Sequence, residues 1–229
     1  MSSAVNFSAG LLLMALLASG VGHAAGMPDG DTRKWKTYRV EVGTHVVQFT
    51  IPPGESRDFP PFEVPSRIDT AREGTFDQAL KGPSLLNRAW DYRKSRFSVV
   101  DGSLTAYIGL RRSEKPLIDM AALRQAITEA SRLSAMQNYL RSGSVGRSDN
   151  PRGFSPAQVA GRSAWLVSFE MSRNSLFVAL DSAHFLRITI LHDGVTDPKF
   201  RDSAKAAAAA ILESLRIDEI EPDRRGVSM

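Results

Sequence analysis

Trp165-Leu166-Val167-Ser168-Phe169, Leu176-Phe177-Val178-Ala179-Leu180 and Phe185-Leu186-Arg187-Ile188-Thr189-Ile190-Leu191 follow one another with breaks only around Arg173-Asn174 and Asp181-Ser182. Each run is short and rich in β-branched and aromatic residues, which reads as a strand. No helix fits between them. Consecutive strands must therefore pair antiparallel, because a parallel crossover needs a dozen or more residues. Gln158-Val159, ahead of a break at Gly161, adds a further strand to this block, which extends from Phe154 to His192.

Helical spacing flanks the block on both sides. Asp119 is placed to cap a helix running from Met120 to about Arg141, with Met120, Leu123, Ile127, Ala130, Leu133, Met136 or Gln137, and Leu140 spaced three and four apart. Arg124, Gln125, Thr128, Glu129 and Arg132 fall on its other side, so one face should pack on a sheet. Ser142-Gly143-Ser144-Val145-Gly146 ends it, and Ser148 to Gly153 continues as loop. After the block, Asp197-Pro198 supplies an N-cap followed by proline at the first helical position. This second helix is expected to reach about Leu215, with Phe200, Ala204, Ala207 or Ala208, Ile211 and Leu215 along one side. The Ala206 to Ala210 run lets it sit close to a sheet, and Ile217 adds a short edge strand.

Towards the N-terminus, Tyr38, Val40 and Val42 alternate before Gly43-Thr44, and Val47, Phe49 and Ile51 alternate after it, up to Pro52-Pro53-Gly54. That pattern is a hairpin. Glu55 to Gly74 holds Pro60, Pro61 and Pro65 and no sustained period, so a long surface loop is expected. Phe76 to Leu80 reads as a helical turn before Gly82-Pro83. Leu86 to Val100 and Leu104 to Leu110, separated by Asp101-Gly102, read as a second hairpin, since Asp-Gly favours a tight turn. The fold class expected is α+β: a twisted, mainly antiparallel β-sheet covered by a long central helix and a C-terminal helix, an α/β/α sandwich.

The apolar run from Leu11 to Ala18 precedes the first charged side chain, Asp29. At about half of the roughly 20 residues a bilayer needs, it has the length of a signal-peptide core, and Gly22 and Ala24 suit a cleavage site before Ala25. Met1 to Gly10 contains no Lys or Arg, which leaves a buried N-terminal helix or an uncleaved anchor as alternatives. The expected organisation is a signal peptide at 1–24, a flexible lead-in at 25–34, a single α+β domain at 35–218 and a polar tail at 219–229, in a protein free in the periplasm or secreted. With no cysteine there is neither a lipid attachment site nor a disulfide, so a core of apolar side chains alone must hold the fold. A mature chain of about 200 residues can do this, burying roughly 70% of its unfolded surface. The net charge of +4 is mild and dispersed, which argues against nucleic acid.

No catalytic signature is legible. Gly-x-Ser-x-Gly is missing, and Gly102-Ser103 and Gly143-Ser144 are ordinary turn chemistry. His45, His184 and His192 have no partner at metal-ligand spacing. His192-Asp193 with Asp197 could gather an imidazole and carboxylates near one loop, although strand-end polarity and a helix cap are the simpler account of them. Asp218, Glu219 and Glu221 read as a solvated terminus. No cofactor or metal is implied.

The most distinctive run is Arg88-Ala89-Trp90-Asp91-Tyr92-Arg93-Lys94-Ser95-Arg96-Phe97. As a strand it places Arg88, Trp90, Tyr92, Lys94 and Arg96 on one face. With Arg111 and Arg112 of the neighbouring strand it could grip an anionic ligand or a protein partner. The other reading makes Trp90 and Tyr92 core and leaves the basic groups to solvate a sheet.

The order of elements resembles the PsbP-like and DcrB-like α/β/α sandwich proteins. The likeness is carried by Phe49-Thr50-Ile51-Pro52-Pro53-Gly54, by Val159-Ala160-Gly161-Arg162-Ser163-Ala164-Trp165 and by Ile211-Leu212-Glu213-Ser214-Leu215-Arg216. The resemblance implies accessory or binding proteins without catalysis, among them periplasmic immunity proteins of type VI secretion that plug a toxin; it transfers no site residue. The function expected is an exported, non-catalytic binding protein that acts through a protein interface, in its sharpest form an immunity-type protein. The alternatives are a secreted hydrolase with a site assembled from distant residues, and an envelope accessory protein that binds an anionic ligand.

Overall fold

The structure, a computed structural model, describes residues 28, 31–93, 98–142, 150–170 and 173–220. The chain is α+β, with two helices and two mostly antiparallel sheets among the described residues. The single sheet expected from the sequence is divided: side-chain alternation fixes which residues share a face, not which strand becomes the neighbour.

The smaller sheet is built on the hairpin of β1 (Lys36–Val42) and β2 (His45–Ile51). Gly43 carries φ +58°, as the first central residue of a tight hairpin turn requires. β3 (Arg67–Ile68) lies inside the Pro-rich loop and pairs parallel with β1, and β10 (Arg216–Glu219) pairs antiparallel with β2, giving the order β10-β2-β1-β3. The larger sheet has the order β4-β5-β9-β8-β7-β6, from β4 (Lys81–Tyr92), β5 (Gly102–Arg112), β6 (Pro151–Val159), β7 (Arg162–Phe169), β8 (Asn174–Ala179) and β9 (His184–Asp193). The block that decides the fold is thus a run of adjacent antiparallel strands, as expected.

β6 is an outer strand that guards its own edge. The two-residue turn Ala160-Gly161, with both φ angles positive, makes Val159 and Arg162 a hydrogen-bonded pair. Alternation from there leaves Pro156 with its ring nitrogen directed away from β7, where a missing N–H costs no ladder bond and blocks pairing with another strand.

Two clusters of apolar side chains lie on the two faces of the larger sheet. On one face, Leu104, Ala106, Ile108, Leu186 and Ile188 meet Val47, Phe49 and Ile51 of the smaller sheet and Ala204, Ala207 and Ile211 of α2 (Pro198–Ser214). Ala207 of the alanine run and Ala204 before it are fully buried, whereas Ala206 and Ala209 are exposed, so one face of the run packs closely. Asp197 accepts from the Lys199 amide as the N-cap, as its sequence predicts. On the other face Leu123, Ile127 and Ala130 of α1 (Met120–Ser142) pack on Val167, Phe169, Phe177 and Phe185. Asp119 Oδ1 accepts from the Ala122 amide at the start of α1. Neither helix is long and apolar enough to cross a membrane.

Three local expectations are corrected. Asp101-Gly102 is not a tight turn: β4 ends at Tyr92, Tyr92 pairs with Gly102, and Val99 lies exposed in the intervening loop. Asp101 instead accepts from the Thr196 amide and hydroxyl and the Asp197 amide, fastening that loop to the entry of α2. Residues 76–80 form a turn held by Asp77, whose carboxylate accepts from Ala79 and Lys81, and no helix forms there. Asp218 and Glu219 belong to β10 instead of a solvated tail. Pro28 is buried, and its carbonyl accepts a hydrogen bond from the Tyr92 hydroxyl at 2.9 Å.

Candidate functional site

Arg88, Trp90 and Tyr92 share one face of β4, and that face points inward. Trp90 is 1% exposed and Tyr92 0%, both within the larger core. Trp90 Nε1 donates to the Gly54 carbonyl at 2.9 Å. Arg88 reaches the Phe62 carbonyl at 3.1 Å, lies 3.7 Å from Glu55 and stacks over Tyr38, so its guanidinium fastens the Pro-rich loop to the sheet. Arg111 is buried on the opposite face of the sheet, among the side chains that flank Phe185. Arg112 is exposed and stacks over Phe76. Lys94 and Arg96 lie outside the described residues. The set is therefore not gathered on one outer surface; Trp90 and Tyr92 hold the core positions of the second reading.

The exposed apolar surface sits elsewhere. Met136, Tyr139 and Leu140 are 51%, 53% and 74% exposed, three large side chains at helical spacing on the last turns of α1. The apolar stripe of the sequence is real, but the sheet covers only its first half. Arg141 is exposed beside them, and no acidic residue occurs between Ala130 and Ser142.

A second constellation forms where turns of the two sheets converge. Asp181, in the turn before β9, accepts from the amides of Ala183 and His184 at 2.7 and 2.8 Å and contacts His184 Nδ1 at 2.9 to 3.0 Å through both oxygens. The His184 ring stacks on Phe76 with centroids 5.4 Å apart. Phe76 can lie there because Gly82 has no side chain: a Cβ at that position would fall 2.8 Å from the Phe76 ring. Arg162, opening β7, donates to the carbonyls of Ala179 and Leu180 at 3.4 and 3.0 Å. His45, opening β2, is 4% exposed; its Nδ1 meets the Thr44 hydroxyl at 3.2 Å and its Nε2 lies 3.8 Å from Glu219 of β10.

Electrostatics separate the members. Burial pushes the Asp181 carboxyl up, but its bonds from the Ala183 amide and from the His184 ring and amide outweigh this and hold it below the usual carboxylate range. Burial first, then Arg162, push His45 below the ordinary imidazole range, against the pull of Asp181 and Glu219. His192 is exposed at the far end of β9 and joins neither group.

Asp181 fixes the His184 ring through Nδ1 and leaves Nε2 as the working nitrogen, the orientation a general base needs. No serine or threonine hydroxyl among the described residues is hydrogen-bonded to that nitrogen. No group of three or more His, Asp or Glu among them is placed to hold a metal ion. Sequence reading singled out His184 but treated Asp181 as a strand break. The local signal was Asp-Ser-Ala-His, an Asp whose carboxylate can bond amides two and three residues on, with the imidazole at the third. Between the β6–β7 turn and the end of α2 runs an open groove of about 500 Å³, walled by Val159, Gly161, Leu176, Leu212, Leu215 and Arg216. No family model matches the sequence, and no curated protein is similar to it.

Proposed function

We propose that this chain is an exported, non-catalytic binding protein that acts through a protein interface, its sharpest form being an immunity-type protein that neutralises a toxin. The observation that carries the reading is the uncovered apolar end of α1. Three large side chains, each at least half exposed, sit together on one helix, and such patches mark interaction sites more often than single exposed residues do. Aromatic and apolar anchors of this kind dominate interface energetics. Export rests on the N-terminal apolar run, and the PsbP-like/DcrB-like α/β/α likeness points the same way, towards accessory proteins of the periplasm.

The test is capture from periplasmic extract with the full chain and with a Met136→Glu/Leu140→Glu variant of unchanged fold. The reading expects one stoichiometric partner, lost with the variant. Capture of no partner, or equal capture by both, ends it.

One observation favours a second reading. The oriented Asp181–His184 pair is the part of a hydrolase that sequence spacing could not reveal. If the chain hydrolyses activated esters and His184→Gln abolishes the activity, this reading replaces the first.

A further inference from the structure

His45 is a buried ring at the meeting of the two sheets and the C-terminal strand. Its side chain points with Val47, Phe49 and Ile51 into the core, yet its Nε2 makes no hydrogen bond. The charged and titratable groups facing it come from three places: Glu219 from β10, Arg162 from the start of β7, and Asp181 and His184 from the turn between β8 and β9.

We propose that His45 is an acid-triggered release for the C-terminal strand: protonation of its ring detaches the Glu219 end of β10 from β2 and loosens the Leu215–Arg216 wall of the adjacent groove. The neutral ring fits its site, whereas the charged ring does not. Glu219 at 3.8 Å is beyond hydrogen-bond reach, and its side chain is 79% exposed, so water already solvates the carboxylate. Asp181 is engaged by two amides and His184. Arg162 cannot retreat, because two carbonyls hold it. A proton taken from solvent therefore places a buried cation in the repulsive field of the Arg162 guanidinium, and hydration is recovered by moving the ring outward.

β10 is the element that gives way. It pairs over four residues, ending at Glu219 opposite His45, and among the described residues beyond them the Ile220 amide reaches back to the Thr44 carbonyl at 2.8 Å. Ile217 is its one buried side chain. Short edge segments with few buried contacts open locally at low cost.

The sign is fixed by linkage. The released state has an ordinary imidazole value of about 6.5 and the closed state a lower one, so opening becomes easier as pH falls from about 6.5 and levels off below the closed value. Hydrogen exchange of the Asp218 and Ile220 amides in the full chain, corrected for intrinsic rates, reads this directly. Protection should fall by up to about tenfold per pH unit below about pH 6.5, while amides at the centre of the β1–β2 pairing change far less. His45→Gln should flatten the dependence. Arg162→Gln should shrink it, by raising the closed value, and Glu219→Gln should steepen it, by lowering that value. An equal slope in wild type and His45→Gln overturns the proposal. If His45→Gln does not fold, the other two variants decide: slopes that shift together or not at all overturn it, as does an NMR titration midpoint for the wild-type His45 ring at or above about 6.5.

Discussion

Residues 88–92 and residues 136–140 occupy opposite places from those their patterns suggest. The first stretch mixes basic and aromatic side chains like a surface, and its aromatics are core; the second continues an apolar helical stripe like a core, and it is exposed. Both periods are correct. What differs is the cover. β4 lies at the edge of the larger sheet, but the Pro-rich loop wraps it through Trp90 to Gly54, Arg88 to Phe62 and the Ser56 amide to the Ala89 carbonyl. α1 has 23 residues, about 35 Å, whereas six strands span about 24 Å and the eight residues of β7 about 27 Å. α1 is longer than β7 and β8, strands on which it packs, and its last turns, at Met136 to Leu140, are the part of the stripe left uncovered.

The largest effect that could break this contrast is at Trp90. Replacement by alanine removes a fully packed side chain and the donor to Gly54, and should cost about 3–5 kcal/mol in urea unfolding. A cost below about 0.5 kcal/mol is what a surface residue gives, and would return Trp90 to the outer face. Gly82→Ala comes next. Its added Cβ meets the Phe76 ring at 2.8 Å and Leu110 Cβ at 3.3 Å, and the ring is held by His184 and Arg112, so about 1–3 kcal/mol of strain is expected, with a change in the chemical shifts of the His184 ring.

Local signals carried much of the fold. Asp119 and Asp197-Pro198 marked both helix starts, and the antiparallel block was set by the want of space for helices. Elements that depend on distant partners were not legible. Asp101 reads as a turn residue until Thr196 and Asp197 are seen donating to it across 95 and 96 residues of chain. β3 is two residues of a Pro-rich loop, and only pairing with β1 makes them a strand. The same holds for the candidate sites. The stripe on α1 was legible but not its exposure, and Asp218 and Glu219 looked like tail because their partners, Val46 and His45, belong to the first hairpin.

Between the large effects and the small lies the response to acid, which compares the two carboxylate–imidazole contacts. Asp181 has a folded value below its unfolded one of about 3.9, so its contribution is full above that value and is lost as pH falls through the folded one. His45, lowered from about 6.5, gives a contribution present above 6.5 that declines as soon as pH drops beneath it. The urea midpoint should therefore fall in two stages, a first that begins below about pH 6.5 and a second below about pH 4. His45→Gln should remove the first stage, whereas Asp181→Asn should diminish the second and, by withdrawing a carboxylate that holds the His45 value up, deepen the first. A single transition near pH 4 in the wild type would mean that His45 is not held neutral by its site.

The smallest effect is expected at the other member of the contrast. Leu140→Ser and Met136→Ser remove apolar atoms that are already largely in water, so no cavity opens and little transfer energy is lost. What remains is helix propensity, a few tenths of a kcal/mol per residue, offset in part because these positions lie in the last two turns of α1. Together the two changes should lower stability by less than about 1 kcal/mol, while abolishing retention of a partner that depends on this patch. The two residues stand four apart on one face, so any coupling between them measures what lies over that face. A combined cost above about 2 kcal/mol, with clear non-additivity, is possible only if both side chains are buried in solution, and it would mean that a segment of this chain or a second copy already covers the end of α1.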